Sequence, residues 1–297
     1  MLSLWTLGHL IYPSSWRKRV QFYSRALWHK TEIESMREVF SSWGVAPLLA
    51  TNPRIYEKPL YPYMIHPMGS NDRFEALYAH YRFVGKKFKP ELIDHLSAGF
   101  VLIGRICEQE MPFDIRLDRI RHFANEGEMT LGLYGPKGER YYVLSFNFDD
   151  RDGGKILIGS LQGTSDIEGE DAKEIIKNVT KALHGLRPQI ALVTILQIVG
   201  RLLEIPSMWG VRTQAHVYNA SSRIKRIKTD YDFFWNEAGG LCENETLYAL
   251  PMTYERKSLE EIKSNKRSMY KKRYAMLDDL ETQIEENLGS LIVTRTF

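Results

Sequence analysis

Cysteine is nearly absent from this chain of 297 residues, which has only Cys107 and Cys242. Two thiols build no disulfide framework, and neither sits in a metal-ligand spacing. The expectation is a pair of buried, reduced thiols in a protein of the reducing cytoplasm. An excess of one charge is lacking too. Forty Lys and Arg face 37 Asp and Glu, a net charge of +3, so a polyanionic partner has to be met by a local patch. Neither apolar run, Met1 to Pro13 or Ile190 to Val199, is long enough to span a bilayer. The first is followed, not preceded, by Arg17-Lys18-Arg19, the wrong order for a secretory signal. There is no internal repeat, low-complexity segment or Walker loop.

What is there has the balance of a globular protein, 43% hydrophobic and 26% charged. The pattern divides into a mainly helical region over 1–110 and an α+β core over 111–297 that ends in a long helix. The expected architecture is a mixed, largely antiparallel sheet with flanking helices. Thr31 and Glu34 form a capping-box pattern, with Gly44 as the stop. Met1 to Pro13 packs on the body, or else lies at a membrane surface with Trp5, Tyr12 and Trp16 at headgroup level. Prolines 47, 53, 59, 62 and 67 mark a loop, and a helix starts near Asp72.

Met129, Leu131 and Leu133 alternate with polar residues, predicting a strand with one buried face and Glu128 exposed. Turns at Gly135-Pro136-Lys137-Gly138 and Asp149–Gly154 join it to strands over Tyr141–Phe148 and Lys155–Gln162 in an antiparallel meander. A helix from Asp171 to Gly185, a greasy buried helix, a strand over Met208–Tyr218 that carries a structural His216, a short helix near Asp230 and a strand at Leu247–Leu250 follow. Ser258 and Glu261 suggest the cap of a helix that runs to Gly289, and a last strand is expected at Leu291–Thr296.

The functional candidates are mostly cationic. Lys266 and Arg273 fall on the apolar stripe of the last helix, where a cation needs an anionic partner. With Arg267 and Arg187 they would hold a phosphate or carboxylate, the anions that a guanidinium fork fits. Gln162, Gly163 and Thr164 end a strand before a helix, an arrangement that presents backbone N–H groups to phosphate. Glu128 or His184 would be a general base, and Tyr231 a general acid, with Glu126 and Tyr218 as further candidates. No metal is expected. The ligand would be acyl-CoA or another phosphate-bearing molecule. The alternative partner is RNA or an anionic membrane, gripped by the basic run Lys263 to Tyr274 and the Lys173 to Arg187 face.

Five segments carry a resemblance as an ordered set: Glu126 to Leu131, Ile158 to Gly163, Thr180 to Pro188, Asp230 to Trp235 and Lys263 to Tyr274. Over Pro67 to Asp279 the chain resembles the VirK/YbjX family of Gram-negative bacteria. That resemblance implies a part in virulence, in resistance to antimicrobial peptides and in the proper behaviour of the bacterial surface, while the cysteine usage and the N-terminal segment give the cytoplasm, or the inner membrane as a peripheral protein, as the expected place. The order of elements is also similar to the GNAT acyltransferase arrangement, in which the loop after the fourth strand holds the pyrophosphate of acyl-CoA. Gln162-Gly163-Thr164 would stand there, although the chain departs from the GNAT loop pattern and inserts an extra helix. This implies transfer of an acyl or similar group to a protein or envelope precursor.

Overall fold

The computed structural model describes residues 2–107, 112–163, 170–220 and 229–293. Six helices come first: α1 (Leu4–Ile11), α2 (Trp16–Ala26), α3 (Lys30–Ser42), α4 (Ala46–Thr51), α5 (Ser70–Lys87) and α6 (Pro90–Ala98). Five strands follow, β1 (Phe100–Ile106), β2 (Phe113–Asp118), β3 (Met129–Tyr134), β4 (Arg140–Asp149) and β5 (Lys155–Gly163). Then come α7 (Glu170–Ala182), α8 (Pro188–Leu202), β6 (Ser207–Val211), α9 (Tyr231–Glu237), β7 (Leu241–Cys242), β8 (Leu247–Leu250) and α10 (Arg267–Gly289). The protein is therefore α+β, with an eight-stranded mixed sheet in the order β1-β2-β3-β4-β5-β6-β8-β7.

β1 to β5 form an antiparallel run that includes the expected meander. β5 and β6 are parallel, paired from Lys155–Ser207 to Ile158–Gly210. Beyond Ile158 β5 continues to Gly163 beside β4 alone, while Val211 pairs with Leu247 of β8. α5 and α8 both pack on β4, and α8 also packs on β3 and β5. All six residues of β3 are buried, which requires cover on both faces. The single-faced strand expected from alternation is corrected accordingly. One apolar core runs from Leu7 of α1 through Phe40, Phe148 and Leu196 to Leu288 of α10.

Local chemistry explains several departures from expectation. Thr31 lies inside α3, and Glu34 accepts the Leu4 N–H at 2.9 Å, holding the N-terminus of α1, where a carboxylate suits the helix dipole. Gly44 does end α3, with φ +72°. Ser258 and Glu261 make both capping-box hydrogen bonds (2.7 and 3.4 Å), yet α10 begins only at Arg267. β6 stops at Val211 because Asp232 takes Arg212 Nε and Thr213 N–H, both at 2.9 Å, and turns the chain away. The expected last strand reduces, among the described residues, to a bridge between Phe88 and Ile292, and 294–296 lie outside them. Gln283 of α10 both accepts from Arg105 N–H (2.7 Å) and donates to Arg105 C=O (3.0 Å) of β1.

Candidate functional site

Residues 1–31 contain no Asp or Glu, and the first acid is Glu32. α1 buries Leu4, Leu7 and Ile11, and Gly8 lets the Tyr23 ring of α2 sit where a Cβ would lie 2.4 Å from it. At about 100° per residue, Phe22 and Ala26 form the inner face of α2. Trp16, Val20 and Leu27 form a second apolar stripe turned away from it, and all three are exposed. Arg17 and Arg19 flank that stripe. Trp5, Trp16 and Trp28 are 67%, 64% and 88% exposed. The Trp5 carbonyl accepts from Tyr23 OH at 3.2 Å, which brings α1 to the border of the stripe.

On the other side of α2 lies a cavity of about 440 Å³, lined by Tyr12, Lys18, Arg54, Glu57, Lys58 and Arg121 among others. Glu57 is engaged, accepting from Tyr12 OH (2.6 Å) and Arg54 Nε (2.8 Å). Arg121 donates to Thr51 C=O at 3.1 Å. Among the described residues no acid lies within ion-pair distance of Lys18 or Arg121.

Lys58, at the cavity wall, reaches the buried Glu128. Its Nζ donates to Glu128 Oε1 at 2.6 Å, as does Tyr63 OH at 2.9 Å, while Tyr81 OH donates to Oε2 at 2.6 Å. Asn147 accepts Glu128 N–H (2.8 Å) and donates to Tyr63 OH (2.7 Å). Burial opposes the Glu128 carboxylate, but the Lys58 ammonium and the hydrogen bonds from Lys58 and Tyr81 outweigh it, holding its pKa below the usual value. Burial pushes His80 down to about 3, so it is neutral and accepts Phe148 N–H at 3.0 Å. The expected exposed base at Glu128 is thus corrected. It is an ion-paired carboxylate sealed between the layers, and this pairing suits structure better than proton transfer.

Glu126, two residues earlier, serves a different cluster. Its Oε1 takes Gln162 Nε2 at 2.7 Å and lies 3.0 Å from His216 Nε2. Tyr231 stacks on His216 with ring centroids 5.2 Å apart. Burial, then Glu126, pushes the Tyr231 hydroxyl above its ordinary pKa and that of Tyr218 up to about 12, so both stay protonated, as an acid requires. Among the described residues, Glu126 Oε2, Ser145 Oγ and Ser160 Oγ are buried with no hydrogen-bond partner. The glycines of two of the five segments that carry the resemblance are explained here. A Cβ on Gly159 would meet the Glu126 carbonyl at 1.9 Å, and one on Gly127 would meet Phe146 N at 2.5 Å and Ser145 Oγ at 2.6 Å.

The other sequence candidates have separate partners. Arg273 is buried, and its Nε and Nη2 donate to the His184 carbonyl at 3.1 and 2.9 Å. It closes the end of α7, where His184 and Gly185 take φ +49° and +74°. It also lies 4.2 Å from the Tyr270 ring. Arg187 pairs with Glu237 at 2.7 Å, Arg267 donates to Ile262 C=O at 3.0 Å, and Lys266 is exposed. Gly163 is exposed at the end of β5, and Thr164 lies outside the described residues. The cavity is lined by none of Gln162, Arg187, Lys266, Arg267 or Arg273. Cys107 and Cys242 are both exposed, correcting the expectation of burial. Cys107 follows the end of β1, and Cys242 ends the two-residue strand β7. Arg54, Lys58 and Arg121 were not singled out in the sequence, and Lys18 only as part of the run Arg17-Lys18-Arg19, because no spacing connects segments so far apart.

Residues 13–286 match the family described as "Protein of unknown function (DUF535)". The chain is 27% identical to the uncharacterized protein YbjX of Escherichia coli over 274 residues, 90% of this chain and 82% of that one. It is 32% identical to an uncharacterized protein of Haemophilus influenzae over 218 residues, 73% and 72% of the two chains. A Mannheimia haemolytica protein named membrane protein LapB is 25% identical over 75% of this chain and 97% of its own length. No solved structure matches. The chain belongs to the DUF535 family, that of VirK and YbjX.

Proposed function

We propose that this protein attaches to an anionic membrane surface through α1, α2 and the Leu27–His29 turn. The observation that carries the reading is the acid-free segment 1–31, with its three exposed indoles and flanking Arg17 and Arg19. Indoles are favoured where hydrocarbon meets headgroups, and Lys and Arg are drawn to anionic lipid. Among the described residues no helix is long and apolar enough to cross a membrane, which fits a face that lies on the bilayer. The Mannheimia relative's name, membrane protein LapB, agrees with such a place. The basic run at Lys263 to Tyr274 supports the reading less. Tyr270 and Tyr274 are half-buried and pack on each other, leaving no exposed aromatic ring beside the charges. A membrane-surface site suits the family's association with resistance to antimicrobial peptides, since those peptides act on the same surface.

Flotation with vesicles of phosphatidylcholine, alone or mixed with phosphatidylglycerol, tests this. Binding to the mixed vesicles, weakened by salt and not displaced by RNA, is expected. Binding to RNA in place of vesicles would move the reading to nucleic acid, and binding to neither would end it.

A second reading, acyl or related group transfer, rests on the parallel pair β5–β6, whose pairing stops at Ile158–Gly210 where Glu126, His216 and Tyr231 converge. Crevices at the carboxyl ends of parallel strands are common ligand sites, and the strand order is compatible with the GNAT-like arrangement. Calorimetric titration with CoA and acetyl-CoA is the check, and the absence of heat with both would retire it.

A further inference from the structure

We infer that the cavity between α2, the Pro53–Leu60 turn and the Arg121 turn is a binding site for a soluble, phosphate-bearing small molecule. The site is independent of the docking face. Lys18 and Gln21 leave α2 on the side turned away from Trp16 and Val20, as the helical period requires, so a docked protein keeps the cavity open to water.

Charge points to an anion. Four cations, Lys18, Arg54, Lys58 and Arg121, line the cavity with one acid, Glu57. They come from three separate segments, so a helix face or local run does not account for their meeting. The single acid is consumed internally by Tyr12 and Arg54. Lys58 is fixed by Glu128 from behind, with a side chain only 6% exposed. That leaves Lys18 and Arg121 with charge uncompensated by any acid among the described residues. Arg121 has spent one Nη2 hydrogen bond on Thr51, and the rest of its fork is suited to two oxygens of one phosphate.

Size and polarity narrow the class. About 440 Å³ is far more than one phosphate fills and lies within the usual range for small-molecule pockets. The amides of Gln21, Asn52 and Asn125 add neutral donors and acceptors for hydroxyl groups. No Leu, Ile, Val, Met or Phe lines it, so an acyl chain would find only Tyr12, Tyr61 and Ala124 to pack on. A phosphorylated polyol or sugar has the matching chemistry, a doubly charged end beside several hydroxyls.

The test is calorimetric titration of the full chain with glycerol 3-phosphate and inorganic phosphate, against glycerol and acetate as controls. Saturable binding of glycerol 3-phosphate is expected, with neither control binding. The variants Lys18→Gln and Arg121→Gln sit at exposed positions and should keep the wild-type melting temperature. Each should weaken binding by about tenfold or more, the worth of one charge-assisted contact. The double variant Trp16→Ala, Trp28→Ala should bind glycerol 3-phosphate like the wild type even where it no longer floats with vesicles, which separates this site from the docking face. No heat with either phosphate, or undiminished affinity in Lys18→Gln and Arg121→Gln, would overturn the inference. So would a cavity that answers only to lipid: loss of binding to phosphatidic acid vesicles in Arg121→Gln while wild type ignores glycerol 3-phosphate.

Discussion

Removing Trp16 and Trp28 together is the sharpest perturbation of the docking face. Their exposures of 64% and 88% amount to roughly 300 Å² of indole surface if a full side chain offers about 200 Å². If half of that enters the interface, about 150 Å² at roughly 25 cal/mol per Å² contributes about 4 kcal/mol. The variant Trp16→Ala, Trp28→Ala should therefore lose its partition onto phosphatidylglycerol-containing vesicles by several hundredfold, since each ~1.4 kcal/mol is tenfold. Because both side chains are exposed in the folded protein, its urea midpoint should match the wild type to within about 0.5 kcal/mol of stability. Arg17→Glu changes the local charge by two units, and at about 1 kcal/mol per charge near an anionic surface should cost about thirtyfold and flatten the salt dependence. Flotation at graded lipid concentration reads both effects. A double indole variant that partitions like the wild type would show that these side chains face water for another reason.

Four further outcomes are expected. With a folded pKa of about 3, His80 stays neutral while the unfolded chain takes a proton below about pH 6.5, so stability falls with pH across that window; the loss is about 2 kcal/mol at pH 5. Urea melts of His80→Asn, which keeps an acceptor for Phe148 N–H, should lack this part of the slope. Gly159→Ala places a methyl 1.9 Å from the Glu126 carbonyl and should cost at least about 3 kcal/mol or prevent folding, whereas Gly289→Ala, with open space around it, should change stability by less than about 1 kcal/mol. Arg273→Met should cost about 2–3 kcal/mol by freeing the end of α7, while Lys266→Met stays within about 0.5 kcal/mol; equal effects in thermal melts would contradict the capping role. Glu128→Gln strips Lys58 of its buried partner and should cost about 3–5 kcal/mol, with part recovered in Lys58→Met, Glu128→Gln.

The meander was legible because Gly138, Gly153 and Gly154 all adopt positive φ at its turns, and turn chemistry is local. The greasy α8 was legible for a similar reason. Gln197, on its polar stripe, donates to Pro251 C=O at 2.8 Å, a pattern that remains helical although the helix is buried. Local rules failed where a distant group competes. The Ser258–Glu261 box forms without starting a helix, and the β6 strand is cut short by Asp232. Alternation misplaced Glu128 because a strand covered on both faces carries no polarity signal. The five segments that carry the resemblance were legible, but only as a list. In space they make two constellations: Glu126, Gln162 and Tyr231 at the heart of the sheet, and His184, Gly185 and Arg273 at the seam of two helices. The residues that line the cavity belong to segments without such a signature, and only the packing of α2 against the Pro53–Leu60 and Arg121 turns brings them together.

The amide of Gln283 grips both backbone groups of Arg105 as a ninth strand would. The outer rim of the sheet is thereby finished by a side chain, and the rung on which a second molecule would begin to stack is already taken. With the opposite rim reduced to the two residues of β7, neither border offers a long template for adding strands. Lengthening the sheet at its β1 border would first require prying α10 away from that strand.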